Sequence, residues 1–205
     1  MANKYYDILR APHQVAFDIT NNCNLRCLHC FNSSGENDVI SNELSDGEVL
    51  HFIEDLASMN LYNVCFCGGE TLLRKELMCE CIKILKPSGS HCTAVTNGLL
   101  ANPATIQQLA SAGLDGIQFS LDGLRDSHER LRNKVGIFPK VIDAMKYVLN
   151  ETGLRLSIAF TPTSFNVKDF LGVYDLLVAL YEKSNRTTGS DYIDFRLQPL
   201  MLLGR

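Results

Sequence analysis

The sequence predicts an α/β fold in which six parallel strands form one curled sheet, a partly closed barrel with its helices outside. Three observations point there. Short β-branched or apolar runs alternate with amphipathic helical stretches, which is the rhythm of βα units. Crossovers between parallel strands are right-handed and wrap such units into a curved sheet. Polar residues cluster where each run ends, at the C-terminal strand ends that carry the functional loops of such folds.

The first strand is expected at 15–19, followed by the polar Thr20-Asn21-Asn22 and then Cys23-Asn24-Leu25-Arg26-Cys27-Leu28-His29-Cys30. Ser45 with Glu48 makes a capping-box pattern ahead of the stripe Val49, Phe52, Ile53, Leu56 and Ala57, so a helix starts there. The second strand, 62–66, runs into Gly68-Gly69-Glu70, and a helix follows over 75–85. The third strand, 91–95, ends at Thr96-Asn97-Gly98. Asn102 and Pro103 read as the N-cap and first position of a helix that carries Ile106 and Leu109 and stops at Gly113. The fourth strand, 116–120, closes on Ser120 and Asp122. Helices over 138–150 and 167–182 flank a fifth strand at 154–160, which ends at Thr161. A polar loop over 183–190 precedes a sixth strand at 192–197, ended by Gln198.

With 205 residues, 46% of them hydrophobic, the chain can bury one substantial core, and we expect one domain over 1–205. The formal net charge is -4, from 19 basic and 23 acidic residues without long runs of either sign. That gives no electrostatic footprint for nucleic acid or an anionic membrane and favours small molecules or a protein partner. The N-terminus lacks an apolar signal region, and no stretch is long and apolar enough to span a bilayer, so a cytoplasmic protein is expected. In that compartment the eight cysteines point to metal or catalytic use before disulfides.

Cys23, Cys27 and Cys30 place three thiols within eight residues of a polar loop. Such a loop can curl so that three sulfurs cap three corners of an iron-sulfur cube, leaving one iron open because no fourth cysteine follows at suitable spacing. The spacing alone leaves open a zinc site of three Cys with His29 or a distant fourth ligand, or three buried thiols. Gly68-Gly69-Glu70 lets backbone approach a ligand closely and then presents a carboxylate suited to an ammonium group. Ser120-Leu121-Asp122-Gly123 supplies two polar side chains suited to hydroxyl or carboxylate recognition. Cys65 and Cys67 share a strand face, whereas Cys79 and Cys81 do not face one another on their helix. All four are expected as buried thiols, with Cys67 set apart by its position beside Gly68.

These motifs resemble the radical S-adenosylmethionine superfamily, whose signature is CxxxCxΦC. His29 stands where an aromatic residue is usual, as a flat ring that could pack on adenine, and Thr71 replaces the Pro that often follows GGE. The resemblance implies a (β/α)6 partial TIM barrel with a 4Fe-4S cluster on Cys23, Cys27 and Cys30. It implies an S-adenosylmethionine pocket of Gly68, Gly69, Glu70, Thr96, Asn97, Ser120 and Asp122, with His29 and Leu197 near adenine. Arg132, at the family offset with His128, would clamp a carboxylate, while Thr161 and Asn166 are weaker candidates, compatible with loop capping. The implied activity is reductive cleavage of S-adenosylmethionine to a 5'-deoxyadenosyl radical that abstracts hydrogen from a substrate. No catalytic side chain beyond the cluster ligands is required, and the electron comes from an external flavodoxin- or ferredoxin-like donor. Similarity to the SPASM-type maturases favours a peptide or protein side chain as substrate. A cofactor-biosynthesis enzyme on a small molecule, or a non-catalytic metal-binding truncated maturase, is the alternative. The SPASM-like C-terminal extension is expected to be absent.

Overall fold

A computed structural model of the chain describes residues 12–35, 43–186 and 193–201. Six strands, β1 (Gln14–Thr20), β2 (Asn63–Gly68), β3 (His91–Thr96), β4 (Gly116–Ser120), β5 (Arg155–Phe160) and β6 (Asp194–Leu197), form one sheet in sequence order. Every neighbouring pair is parallel, the arrangement expected when each strand returns through an outer helix.

The helices are α1 (Asp46–Ser58), α2 (Lys75–Leu85), α3 (Pro103–Ala112), α4 (Arg125–Leu131), α5 (Ile137–Glu151) and α6 (Phe170–Glu182). The predicted capping box is present, with Ser45 accepting from the Glu48 N–H and the Glu48 carboxylate accepting from the Ser45 N–H. Asn102 caps α3 and Gly113 ends it in the left-handed region, at φ 101°.

Alternation along the strands separates the two sheet faces. Val64, Phe66, Cys92, Ala94, Ile117, Phe119, Leu156, Ile158 and Phe160 are buried on the helix-facing side. There they meet Ile53 of α1, Ile82 of α2, Leu109 of α3 and Met145 of α5 in one continuous core. The opposite face carries small or polar residues, among them Ala16, Asp18, Gln118 and Ser120, and leaves a cavity in the concave side of the sheet.

The structure departs from the expected elements in a few places. β2 extends to Gly68 because Gly68 still pairs with Thr20 across a register shift in β1. α4 had no sequence signal, since RDSHERL buries only His128 and Leu131 and has no apolar stripe. The helix expected over 167–182 opens as a 3-10 turn, Val167–Asp169, before α6. Tyr192 and residues 187–190 of the expected loop lie outside the described residues. Among the described residues no helix is long and apolar enough to cross a membrane.

Candidate functional site

A cavity of about 480 Å³ opens at the C-terminal ends of the strands, and Cys23, Cys27 and Cys30 all line it. Its volume falls within the ~300–1,000 Å³ of small-molecule sites. The loop that carries these cysteines is fixed by its own polar groups. Thr20 Oγ1 accepts from the Asn22 N–H at 3.0 Å and donates to the Glu43 carboxylate at 2.8 Å. Asn21 Oδ1 gathers Asn32 Nδ2 at 2.7 Å and Ser34 Oγ at 2.6 Å. Arg26 caps the carbonyls of Cys23 and Leu25, and the buried Leu25 pins the loop to the core. From the far side, the Leu28 N–H donates to the Leu131 carbonyl at the end of α4.

Two glycines let this loop rest on β2. A Cβ on Gly68, whose φ is +126°, would lie 2.1 Å from the Thr20 carbonyl oxygen, and one on Gly69 would lie 2.2 Å from that of Asn22. The contact is used, because the Gly69 N–H donates to Thr20 at 2.8 Å and the Glu70 N–H to Asn22 at 2.9 Å. Close backbone approach explains the glycine pair better than any generic turn.

Glu70, expected to offer its carboxylate to a ligand ammonium, is fully buried and committed to the protein. It accepts from Thr96 Oγ1 at 2.6 Å, the Asn97 N–H at 2.8 Å and the Leu72 N–H at 3.1 Å. Burial raises its pKa against the pull of those donors. Glu70 therefore braces the ends of β2 and β3 from behind the cavity wall, which Thr96 and Asn97 line. Asn97 in turn donates to Asn24 Oδ1 at 2.8 Å and reaches Cys23 Sγ at 4.0 Å.

A second buried network stands on the other side. Asp122, also fully buried, pairs with Arg132 Nη2 at 2.5 Å and His29 Nε2 at 3.4 Å, and accepts from the Thr161 N–H at 2.9 Å. Burial opposes its ionisation, but the adjacent guanidinium prevails and holds the carboxyl well below the usual range. Arg132 also donates to Cys27 Sγ at 3.7 Å, so the expected carboxylate clamp already holds a protein carboxylate and a thiol. His128 is buried, accepts from the Asp122 N–H at 3.1 Å, and burial pushes its pKa down to about 3, so it is neutral. Asn166 donates to the Asp122 and Thr161 carbonyls, a loop-capping position. Ser120, Thr161, His29, Arg132 and Leu197 line the cavity, and Leu197 is 60% exposed at its mouth.

Burial raises the Cys23 and Cys27 pKa values, with Arg132 working against it at Cys27. Among the described residues no three Cys, His, Asp or Glu side chains converge on one ion-sized point. Three thiols on one loop lining one cavity are the donor set that a cluster with one open iron would take. Cys65 departs from the expectation of a buried thiol, while Cys67 stands apart as its place beside Gly68 suggested: both are only partly buried and line the cavity with Asp18, Gln118 and Arg196. The available signal was the two-residue period that sends Val64 and Phe66 to the core.

The family model described as "Radical SAM superfamily" matches residues 17–177. Fe-coproporphyrin III synthase from Methanosarcina barkeri (strain Fusaro / DSM 804) is 32% identical over 163 residues, covering 80% of this chain and 40% of that protein. Mycofactocin maturase MftC from Mycolicibacterium smegmatis (strain ATCC 700084 / mc(2)155) is 30% identical over 184 residues, covering 88% and 45%. The chain thus spans less than half the length of these relatives. The crystal structure of Streptococcus suis SuiB bound to S-adenosylmethionine shares the fold, with a TM-score of 0.70 at 18% identity over 91% of this chain and 50% of that one.

Proposed function

The chain belongs to the radical S-adenosylmethionine superfamily, and from that membership we propose that residues 1–205 form a core domain that cleaves S-adenosylmethionine reductively. The superfamily uses a 4Fe-4S cluster and S-adenosylmethionine. When bound, they supply a 5'-deoxyadenosyl radical that abstracts a substrate hydrogen atom.

The observation that carries the reading is the convergence of Cys23, Cys27 and Cys30 on one cavity with Gly69, Asn97 and Ser120 at the strand ends. Cys23, Cys27 and Cys30 would hold the cluster, each losing its thiol proton on loading. Thr96, Asn97, Ser120 and the backbone of Gly68 and Gly69 would bind the polar groups of S-adenosylmethionine, with His29 and Leu197 beside adenine. Glu70, Asp122 and Arg132 act through them: Glu70 fixes Thr96 and Asn97, and the Asp122–Arg132 pair holds Cys27 and His29. A flavodoxin- or ferredoxin-like protein supplies the electron.

A peptide or protein side chain is our first substrate reading, supported by the similarity to mycofactocin maturase MftC. A second reading, a small molecule of cofactor biosynthesis, is favoured by the similarity to Fe-coproporphyrin III synthase. Anaerobic reconstitution with iron and sulfide should give a brown protein with a broad band near 400 nm. Dithionite and S-adenosylmethionine should then release 5'-deoxyadenosine, and Cys23→Ala should lose both the band and the product. A folded, reconstituted protein that makes no 5'-deoxyadenosine would sink the catalytic reading. A change in the mass of a tetrapyrrole, and not of a peptide, would select the second substrate.

A further inference from the structure

Two cavity thiols take no part in the function proposed above. Cys65 and Cys67 occupy alternate positions of β2, so both side chains point to the concave side while Phe66 between them is buried in the core. Their sulfurs lie 3.5 Å apart. Asp18 is paired in register with Cys67 on β1, and Arg196 enters the same cavity from β6.

Geometry separates what such a pair can do. Two thiolates bound at ~2.3 Å to one ion, with a tetrahedral angle between them, stand ~3.8 Å apart. The observed separation is therefore close to a chelating bite and needs only a small side-chain adjustment. A disulfide would bring the sulfurs to ~2.05 Å, across Cα atoms that a two-residue strand step sets ~6.6 Å apart, near the upper end of the bridging range. Chelation is the less strained use of the pair.

We propose that Cys65 and Cys67 form a bidentate thiolate site for one thiophilic divalent ion of the zinc class, separate from the Cys23–Cys27–Cys30 loop and open to the cavity. Among the described residues no third His, Cys, Asp or Glu side chain completes the site, so the remaining coordination positions face the cavity contents. An ion held there would grip an oxygen, nitrogen or sulfur atom of a molecule in the cavity. The proton balance is favourable. The Cys65–Cys67 hydrogen bond lowers the Cys65 pKa and raises that of Cys67. The ion displaces the thiol protons, and no electrons move.

Cadmium is the probe, read by its sulfur-to-metal charge-transfer absorption under reducing conditions. The full chain carrying Cys23→Ser, Cys27→Ser and Cys30→Ser should still bind one cadmium ion and release protons, and adding Cys65→Ser and Cys67→Ser should abolish the band. This background removes the cluster, so the outcome is independent of the cluster assignment. If the triple variant fails to fold, wild type and Cys65→Ser/Cys67→Ser are compared directly, and the double variant should bind one ion fewer. An unchanged stoichiometry overturns the proposal. So does recovery of residues 65–67 two hydrogens lighter without metal uptake, which would assign the pair to thiol–disulfide exchange.

Discussion

Replacing Arg132 by Ala should leave Asp122 a fully buried carboxylate without its guanidinium partner, and the structure sets both the size and the pH dependence of the loss. Arg132 Nη2 is 2.5 Å from Asp122, and the two side chains are 12% and 0% exposed, so solvent cannot take over the lost partner. Breaking such a pair costs ~3–5 kcal/mol. With a urea m-value of ~2 kcal/mol/M, the unfolding midpoint should fall by ~2 M. In the wild type the folded Asp122 pKa lies below its ordinary value of 3.8, so its stabilisation is present above that pH and is lost as pH falls through the lower folded pKa. In Arg132→Ala burial dominates and the folded pKa rises above 3.8, so the variant's deficit should be largest at pH 7 and shrink towards pH 4. Adding Asp122→Asn removes the charge while keeping an acceptor for the Thr161 N–H, and should restore more than half of the loss. Urea unfolding of the metal-free, reduced chain by circular dichroism at both pH values is the assay. A loss under ~1 kcal/mol at pH 7, or one equal at pH 4 and 7, would refute the reasoning.

Ser45→Ala removes the acceptor for the Glu48 N–H and should cost ~1 kcal/mol in the same assay, with no change in iron loading. Gly69→Ala puts a methyl group 2.2 Å from the Asn22 carbonyl oxygen, and should cost ~1–3 kcal/mol and lower the iron bound per chain on reconstitution. Glu70 has a folded pKa above its ordinary 4.5, so the folded state carries an ionisation penalty that grows as pH rises through 4.5. The stability of Glu70→Gln relative to wild type should therefore improve between pH 4 and 7, and a flat difference would contradict the burial argument.

Much of the fold follows from short-range chemistry. The helix expected over 75–85 is α2 to the residue, and the Ser45–Glu48 box and the Asn102–Pro103 start act within a few positions of themselves. α4 carries no local sequence signal because its hold on the protein is long-range, through His128 beneath Asp122 and Arg132 at Cys27.

By itself the sequence determined the order of the βα units, the three-cysteine loop and the glycine pair, because period, caps and spacing are properties of neighbouring residues. Only the tertiary structure decided which polar side chains face the cavity and which are spent behind its wall. Glu70 meets Thr96 across 26 positions, and Cys27 meets Arg132 across 105. A carboxylate's role depends on whether the fold brings donors to it, and those donors arrive from other strands. The same holds for Cys65 and Cys67, whose strand period placed them together but whose exposure to a cavity came only with the curvature of the sheet.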